Sequence, residues 1–160
     1  LEIHVGQDLS SVVAVLRGGQ RGERPVSVLL RADMDALEVR EQTGSPFAST
    51  NGYMHACGHD LHTAGLYGAL AWLVRRRGEL TADVVAMLQP GEETGGGALH
   101  MIQEGLLEAA GRPVDAALAE EFLTTGRFLW NAGMFIVGAG VLLVTGALLP
   151  WRATADGARR

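Results

Sequence analysis

Short apolar runs along residues 1–119 alternate with segments in which apolar residues recur at helical spacing. The runs of strand length are residues 12–16, 26–30, 83–88 and 114–119. Leu66, Leu70 and Leu73 share one side of a helix predicted over residues 62–76, and a shorter helix is predicted over residues 98–108. Strands that alternate with helices predict an α/β sandwich around a mostly parallel sheet.

Polar and glycine-rich stretches indicate where these elements end. The run Arg75-Arg-Arg-Gly78 places cations before a glycine, which is typical of a helix C-terminus. Asp60 is predicted to cap the N-terminus of the helix that starts near His62. Residues 45–53 are rich in Ser, Thr, Asn and Gly and are predicted to be a loop. Because the sequence begins at Leu1 inside a strand-like segment, we expect its natural N-terminus to be missing.

The composition is that of a globular protein, and it excludes some partners. The 160 residues are 48% hydrophobic and 19% charged, with 22 glycines, which is enough for one domain with a core. A formal net charge of −5 and the lack of a basic aromatic patch argue against a nucleic-acid partner. One cysteine cannot form an internal disulfide, so a reducing compartment, the cytoplasm, is expected.

Residues 54–63 concentrate the side chains that bind metal ions. The segment contains the single cysteine, three histidines and an aspartate: Cys57, His55, His59, His62 and Asp60. Thiolate and imidazole suit zinc and other borderline-soft divalent ions. Because one glycine separates Cys57 from His59, both side chains can reach one ion or bridge two. Asp60 has either a metal role or its capping role, and His55 and His62 are either hydrogen-bond partners of the ligands or substrate contacts.

Two pairs of carboxylates follow predicted strands, Asp33 with Asp35 and Glu92 with Glu93. In α/β sheets, ligands gather beyond the carboxyl ends of the strands. Adjacent glutamates on a turn point in different directions, so one can bind metal while the other takes a proton from bound water. Asp33 and Asp35 alternate along an extended segment, so only one is expected to face the site. The alternatives are solvated surface glutamates at a helix start and an ordinary turn aspartate pair.

Three motifs, in this order and spacing, resemble those of a known family. They are Arg31-Ala-Asp-Met-Asp-Ala-Leu37, Met54-His-Ala-Cys-Gly-His-Asp60 and Gln89-Pro-Gly-Glu-Glu93. Residues 1–119 thereby resemble the M20 metallopeptidase superfamily, in the amidohydrolase branch of N-acyl-amino-acid, hippurate and auxin-conjugate hydrolases. The resemblance implies an α/β catalytic domain that holds two divalent metal ions, zinc or manganese.

The resemblance also implies individual roles. Cys57, His59 and Glu93 match metal ligands of the family, Glu92 matches its general base, and Asp35 matches the aspartate that orients a metal-binding side chain. These roles are expectations for this chain.

The chain departs from the family after residue 119. Where this branch has a histidine, the chain has Glu120-Glu121, and Glu121 is the expected replacement ligand. The family's last histidine ligand, and a smaller inserted domain that helps form dimers, come further along than this chain extends. Residues 1–119 therefore resemble the front half of a catalytic domain. We expect weak or partial metal occupancy and little activity from this chain alone, and a homodimer only if the missing domain is present.

Residues 120–160 are expected to form an unrelated, apolar C-terminal tail. Residues 120–137 resemble a segment of mannose-1-phosphate guanylyltransferases, in which Asn131 matches an asparagine near the sugar. Residues 128–151 contain no charged side chain, and a run of that length can span a bilayer. Because Asn131 and glycines interrupt the run, membrane association is possible but not favoured. A fusion of gene fragments, or an artificial sequence, is the simplest account.

The leading hypothesis is a cytoplasmic, metal-dependent hydrolase that cleaves an amide bond of N-acyl amino acids or small peptides. A non-catalytic truncated or chimeric fragment is one alternative, and a sugar-nucleotide transferase fragment is another. Metal analysis distinguishes the transferase from the other two, and an activity assay with and without chelator distinguishes the enzyme from the inactive fragment.

Overall fold

The computed structural model describes residues 1–118. Its strands are β1 (Glu2–Val5), β2 (Val12–Leu16), β3 (Val26–Asp33), β4 (Ala82–Gln89) and β5 (Ala116–Leu118), and its helices are α1 (His59–Arg75) and α2 (Gly97–Gln103), with 3-10 turns at Arg77–Glu79 and Leu106–Glu108. The four predicted strands are present. β3 extends three residues further than predicted, and the helix predicted over residues 98–108 is a helix followed by a 3-10 turn.

The sheet is mixed, so the prediction of a mostly parallel sheet was wrong in this respect. The strand order is β1-β2-β4-β3-β5. β3 pairs in parallel with β4 and β5, whereas β2 pairs antiparallel with both β1 and β4. The short connection between β1 and β2 can only return the chain antiparallel, while the long segment containing α1 allows β3 and β4 to run in the same direction.

Both faces of the sheet are covered at its central strands, β3 and β4, which explains why their middle residues are mostly apolar, whereas β1 is exposed along its whole length. Leu66, Leu70 and Leu73 of α1 pack against the face that carries Val84 and the even-numbered residues of its neighbours. Val85 and Met87 point to the opposite face and pack against a second cluster, which contains Met101, Leu106 and Ala110. The fold class is therefore α/β, with helical segments on both sides of the sheet.

α1 begins at His59, three residues before the predicted start. The predicted cap, Asp60, lies inside the first turn, and the N-cap position is Gly58, which offers no side-chain hydrogen bond. Gly58 has a φ of 102°, a conformation that glycine adopts without the steric cost of a Cβ. The glycine between Cys57 and His59 therefore ends the loop and starts the helix.

Several predictions concern residues outside 1–118, namely the ligand role of Glu121, the sugar contact of Asn131 and the apolar tail at 128–151. Within the described part of the chain, no helix is long and apolar enough to cross a membrane.

Candidate metal centre

The candidate site lies where β3 and β4 end and α1 begins. The two strands end level with each other, because Asp33 pairs with Gln89 in the parallel register. The chain leaves β3 through Met34, whose N–H donates to the Gln89 carbonyl at 2.8 Å. Segments that follow neighbouring parallel strands emerge at the same edge of a sheet. Both acidic pairs therefore emerge at the edge that the first turn of α1 covers.

Cys57, His59 and Glu93 converge at this edge. Each offers one ligand atom, and these three atoms lie within 4.8 Å of one another. His59 is buried, whereas Cys57 and Glu93 are exposed. The imidazole is therefore shielded from solvent, whereas the sulfur and the carboxylate beside it are accessible from solvent.

The ring of His59 is held in one orientation. Its Nδ1 lies 3.0 Å from the carbonyl oxygen of Asp35 and 3.1 Å from Oδ1 of the same residue. Both oxygens can only accept, so Nδ1 carries the proton and donates it. Nε2 is then a lone-pair donor, and it faces carboxylate oxygens of Asp33 at 3.7 Å, Glu92 at 3.7 Å and Glu93 at 3.9 Å. A histidine fixed by a carboxylate in this way is typical of metal ligands.

The electrostatics of the site also fit a cation. A hydrogen bond with Glu93, burial, and the negative charges of Glu93, Glu92 and Asp33 raise the pKa of the Cys57 thiol. The raised pKa reflects a concentration of negative charge around the sulfur. A divalent ion reverses this effect, because it deprotonates the thiol that coordinates it. Nitrogen, sulfur and carboxylate donors together match zinc.

Both aspartates of the first acidic pair face the site, so the expectation that only one does so was wrong. Nδ1 of His62 lies 2.7 Å from Oδ1 of Asp33, and Nη2 of Arg31 lies 3.4 Å from Oδ2. Because β3 ends at Asp33, the strict alternation of a strand no longer governs Asp35.

The sequence missed Arg31 and Gln89 as parts of the site. Nε of Arg31 donates to the side-chain oxygen of Gln89 at 2.7 Å, which links the ends of β3 and β4. A period of two along β3 places Arg31 on the same face as Asp33, and that signal could have identified it. Of the other candidates, His55 and Asp60 are exposed. His62 contacts Asp33 and stacks beside His59, with ring centroids 5.8 Å apart.

Residues 29–140 match Peptidase family M20/M25/M40. The match includes all three motifs that surround the site, and it continues past the last described residue.

Individual proteins and one solved structure are similar to the chain. An N-acetylcysteine deacetylase of Bacillus subtilis is 44% identical over 66% of this chain and 27% of its own length. Thermostable carboxypeptidase 1 of Saccharolobus solfataricus is 42% identical over 67% of this chain and 28% of its own length. A dinuclear metal-binding M20 peptidase from Bacillus subtilis, whose crystal structure is known, is 42% identical in sequence. Its structure matches with a TM-score of 0.62, and the match covers 72% of this chain and 31% of the peptidase. The chain spans about a quarter of the length of these curated relatives.

Proposed function

Since the chain belongs to Peptidase family M20/M25/M40, we propose that it contributes the metal-binding edge of a hydrolase that cleaves the amide bond of an N-acyl amino acid or a small peptide. The observation that carries the proposal is the convergence of Cys57, His59 and Glu93 within 4.8 Å, with Nε2 of His59 directed at three carboxylates. The names of the similar deacetylase and carboxypeptidase support the two substrate classes.

In this proposal Cys57, His59 and Glu93 hold the metal. The similarity to a dinuclear peptidase supports two ions, and the mixed donor set supports zinc more than a hard ion such as magnesium. The chemistry that such ions supply when bound is Lewis acidity, which polarises an amide carbonyl and lowers the pKa of water.

Glu92 is the proposed general base. Its side chain is 41% exposed, and its carboxylate lies 3.7 Å from Nε2 of His59. It is therefore beside the proposed ligands and still accessible to a substrate. A carboxylate in this position can accept a proton from the attacking water and return it to the leaving amine.

Metal binding tests the proposal directly. The purified 160-residue chain is titrated with zinc against a chromogenic chelator, together with Cys57→Ser, His59→Asn and Glu93→Gln. We expect each substitution to weaken binding strongly, because each removes one donor. The exposed residue His100 lies on α2, so His100→Asn is a matched control that is expected to bind like the wild type.

Hydrolysis is then measured on N-acetylated amino acids and on short peptides, before and after treatment with a chelator. Activity that the chelator removes and zinc or manganese restores supports the proposal. If zinc affinity is the same in the wild type and in all three ligand variants, the proposal is contradicted.

A further inference from the structure

The start of α1 has no side-chain cap, although Asp60 places a favourable negative charge in its first turn. The N-cap residue is Gly58, and no side chain caps the first turn. The amides of Leu61 and His62 reach only the carbonyl of Gly58. A side-chain cap ordinarily contributes about 1 kcal/mol and fixes the first turn. Bonds from side chains inside the turn therefore contribute to holding it, and that of His59 to Asp35 is one of them.

Two side chains of that turn bond to one residue at the end of β3. Nδ1 of His62 lies 2.7 Å from Oδ1 of Asp33, and the hydroxyl of Thr63 donates to the main-chain carbonyl of Asp33 at 2.9 Å. Because the carboxylate oxygen only accepts, Nδ1 of His62 is the donor. Asp33 is buried, and the other oxygen of its carboxylate pairs with Arg31 at 3.4 Å. Arg31 thus holds the carboxylate of Asp33 from the strand side, while His62 contacts its other oxygen.

Helical spacing connects these bonds to the proposed metal ligand. His62 and Thr63 follow His59 by three and four residues, which places all three on one side of the helix. The bonds to Asp33 are therefore made by the same side of α1 that carries His59. Nε2 of His59 lies 3.7 Å from Oδ1 of Asp33, the oxygen that His62 contacts.

We propose that Asp33, His62 and Thr63 form an anchor that positions the start of α1, and that metal affinity at Cys57, His59 and Glu93 depends on this anchor. His62 and Thr63 are positioning residues in this inference, because they act through Asp33. The part of the inference that concerns metal affinity rests on the proposed function. The part that concerns the ordering of the start of α1 is independent of the proposed function.

Thr63 separates a positioning effect from an electrostatic one. His62→Ala removes a titratable ring close to the site, so its effect on metal affinity mixes charge with geometry. Thr63→Val keeps the shape and the charge and removes only the hydroxyl that bonds to Asp33. Thr63→Ser keeps that hydroxyl and removes only the methyl group. A purely electrostatic role predicts that Thr63→Val binds zinc like the wild type.

The first measurement is zinc affinity by chelator competition. We expect Thr63→Val and His62→Ala to bind zinc about 10-fold to 100-fold more weakly, the range typical for residues that orient metal ligands. Thr63→Ser is expected to stay close to the wild type. Tyr67→Ala is the matched control, because Tyr67 lies one turn further along α1 and its side chain is exposed.

The second measurement needs no metal. Amide hydrogen exchange of the metal-free chain reports on the opening of the first turn. We expect Thr63→Val and His62→Ala to accelerate exchange at the amides of positions 61 and 62. The exchange rates of amides in β4 are expected to stay unchanged. Unaltered exchange in both variants overturns the anchor, whether or not the wild type binds zinc. Faster exchange in the variants with unaltered zinc affinity overturns the dependence of metal affinity on the anchor, but not the anchor itself. A wild type that binds no zinc overturns that dependence and the proposed function together.

Discussion

Asp35 and Glu93 are joined by a hydrogen bond in which the main-chain N–H of Glu93 donates to Oδ2 of Asp35 at 2.9 Å. The other oxygen of the same carboxylate accepts from Nδ1 of His59 at 3.1 Å. One carboxylate therefore ties the strand end of β3 both to the first turn of α1 and to the turn that follows β4. It contacts both His59 and Glu93, two of the proposed ligands, and is not a proposed ligand itself.

Asp35→Asn is expected to weaken zinc binding by about 10-fold to 100-fold. Asparagine has a single acceptor oxygen, so it can keep only one of the two bonds, and it removes the charge that favours a proton on Nδ1 of His59. Chelator competition measures the loss. Asp8→Asn, an exposed site in the β1–β2 connection, is the control. Wild-type zinc affinity in Asp35→Asn contradicts the orienting role.

Glu92→Gln is expected to reduce hydrolysis by about 10²-fold to 10⁴-fold, to below detection if the wild-type rate is low, and to leave metal content nearly intact. Glutamine keeps the shape of glutamate but cannot accept a proton. Turnover and bound metal are measured on the same samples, with Glu108→Gln as the control. Loss of metal from Glu92→Gln means that Glu92 and Glu93 have exchanged roles.

The reactivity of Cys57 is expected to depend on its carboxylate neighbours. The contact with Glu93 and the surrounding negative charge raise the pKa of the thiol, so at pH 8 a smaller fraction is thiolate than in a free cysteine. Alkylation of the metal-free chain is therefore slower than that of a cysteine peptide, and it accelerates as pH rises. Glu93→Gln lowers the pKa and increases the rate at pH 8. Bound zinc protects the sulfur, and equal rates in the presence and absence of zinc contradict coordination by Cys57.

Asp83 is expected to be a structural aspartate with a large effect on stability. It is fully buried at the start of β4, and its Oδ2 lies 3.3 Å from the guanidinium groups of both Arg17 and Arg112. Asp83→Asn leaves Arg112 without the only carboxylate that it pairs with in the described part of the chain, whereas Arg17 keeps its ion pair with Glu2 at 2.8 Å. Loss of the buried counter-charge is expected to cost about 3–5 kcal/mol in free energy of unfolding. Urea denaturation measures the change.

A surface ion pair provides the comparison for Asp83→Asn. Nη1 of Arg76 lies 3.6 Å from Oε2 of Glu79, and both side chains are exposed. Glu79→Ala is expected to change the free energy of unfolding by no more than about 1 kcal/mol. If Asp83→Asn is as mild as Glu79→Ala, the buried cluster does not stabilise the fold.

The central strands β3 and β4 could be predicted from sequence because they are buried on both faces. Runs such as that around Val84 and Val85 alternate between two apolar cores, so no polar residue interrupts them. The pairing direction of β2 could not be predicted in this way, because it depends on which strand β2 lies beside and not on its own composition.

The site was predictable in its members but not in its connections. Cys57, His59 and Glu93 were identified by residue type and by motif resemblance, and the structure brings them together. The start of α1 was placed too late, because the prediction relied on Asp60 as a cap and a glycine cap gives little signal. The contact between Asp33 and His62 depends on where β3 ends, which no local pattern states.

The level ends of β3 and β4 also affect how metal binding and folding depend on each other. Asp33 faces Gln89 across the sheet, so Asp35, His59 and Glu93 come together only after strands from distant parts of the sequence have paired. An unfolded chain keeps Cys57 and His59 as neighbours but loses Glu93, so an ion held by the three proposed ligands is expected to favour the folded population. Once zinc exceeds its dissociation constant, each further tenfold increase in its concentration is expected to add about 1.4 kcal/mol to the free energy of unfolding. Damage to the sheet far from any proposed ligand, for example in the middle of β4, is expected to weaken zinc binding through the same equilibrium.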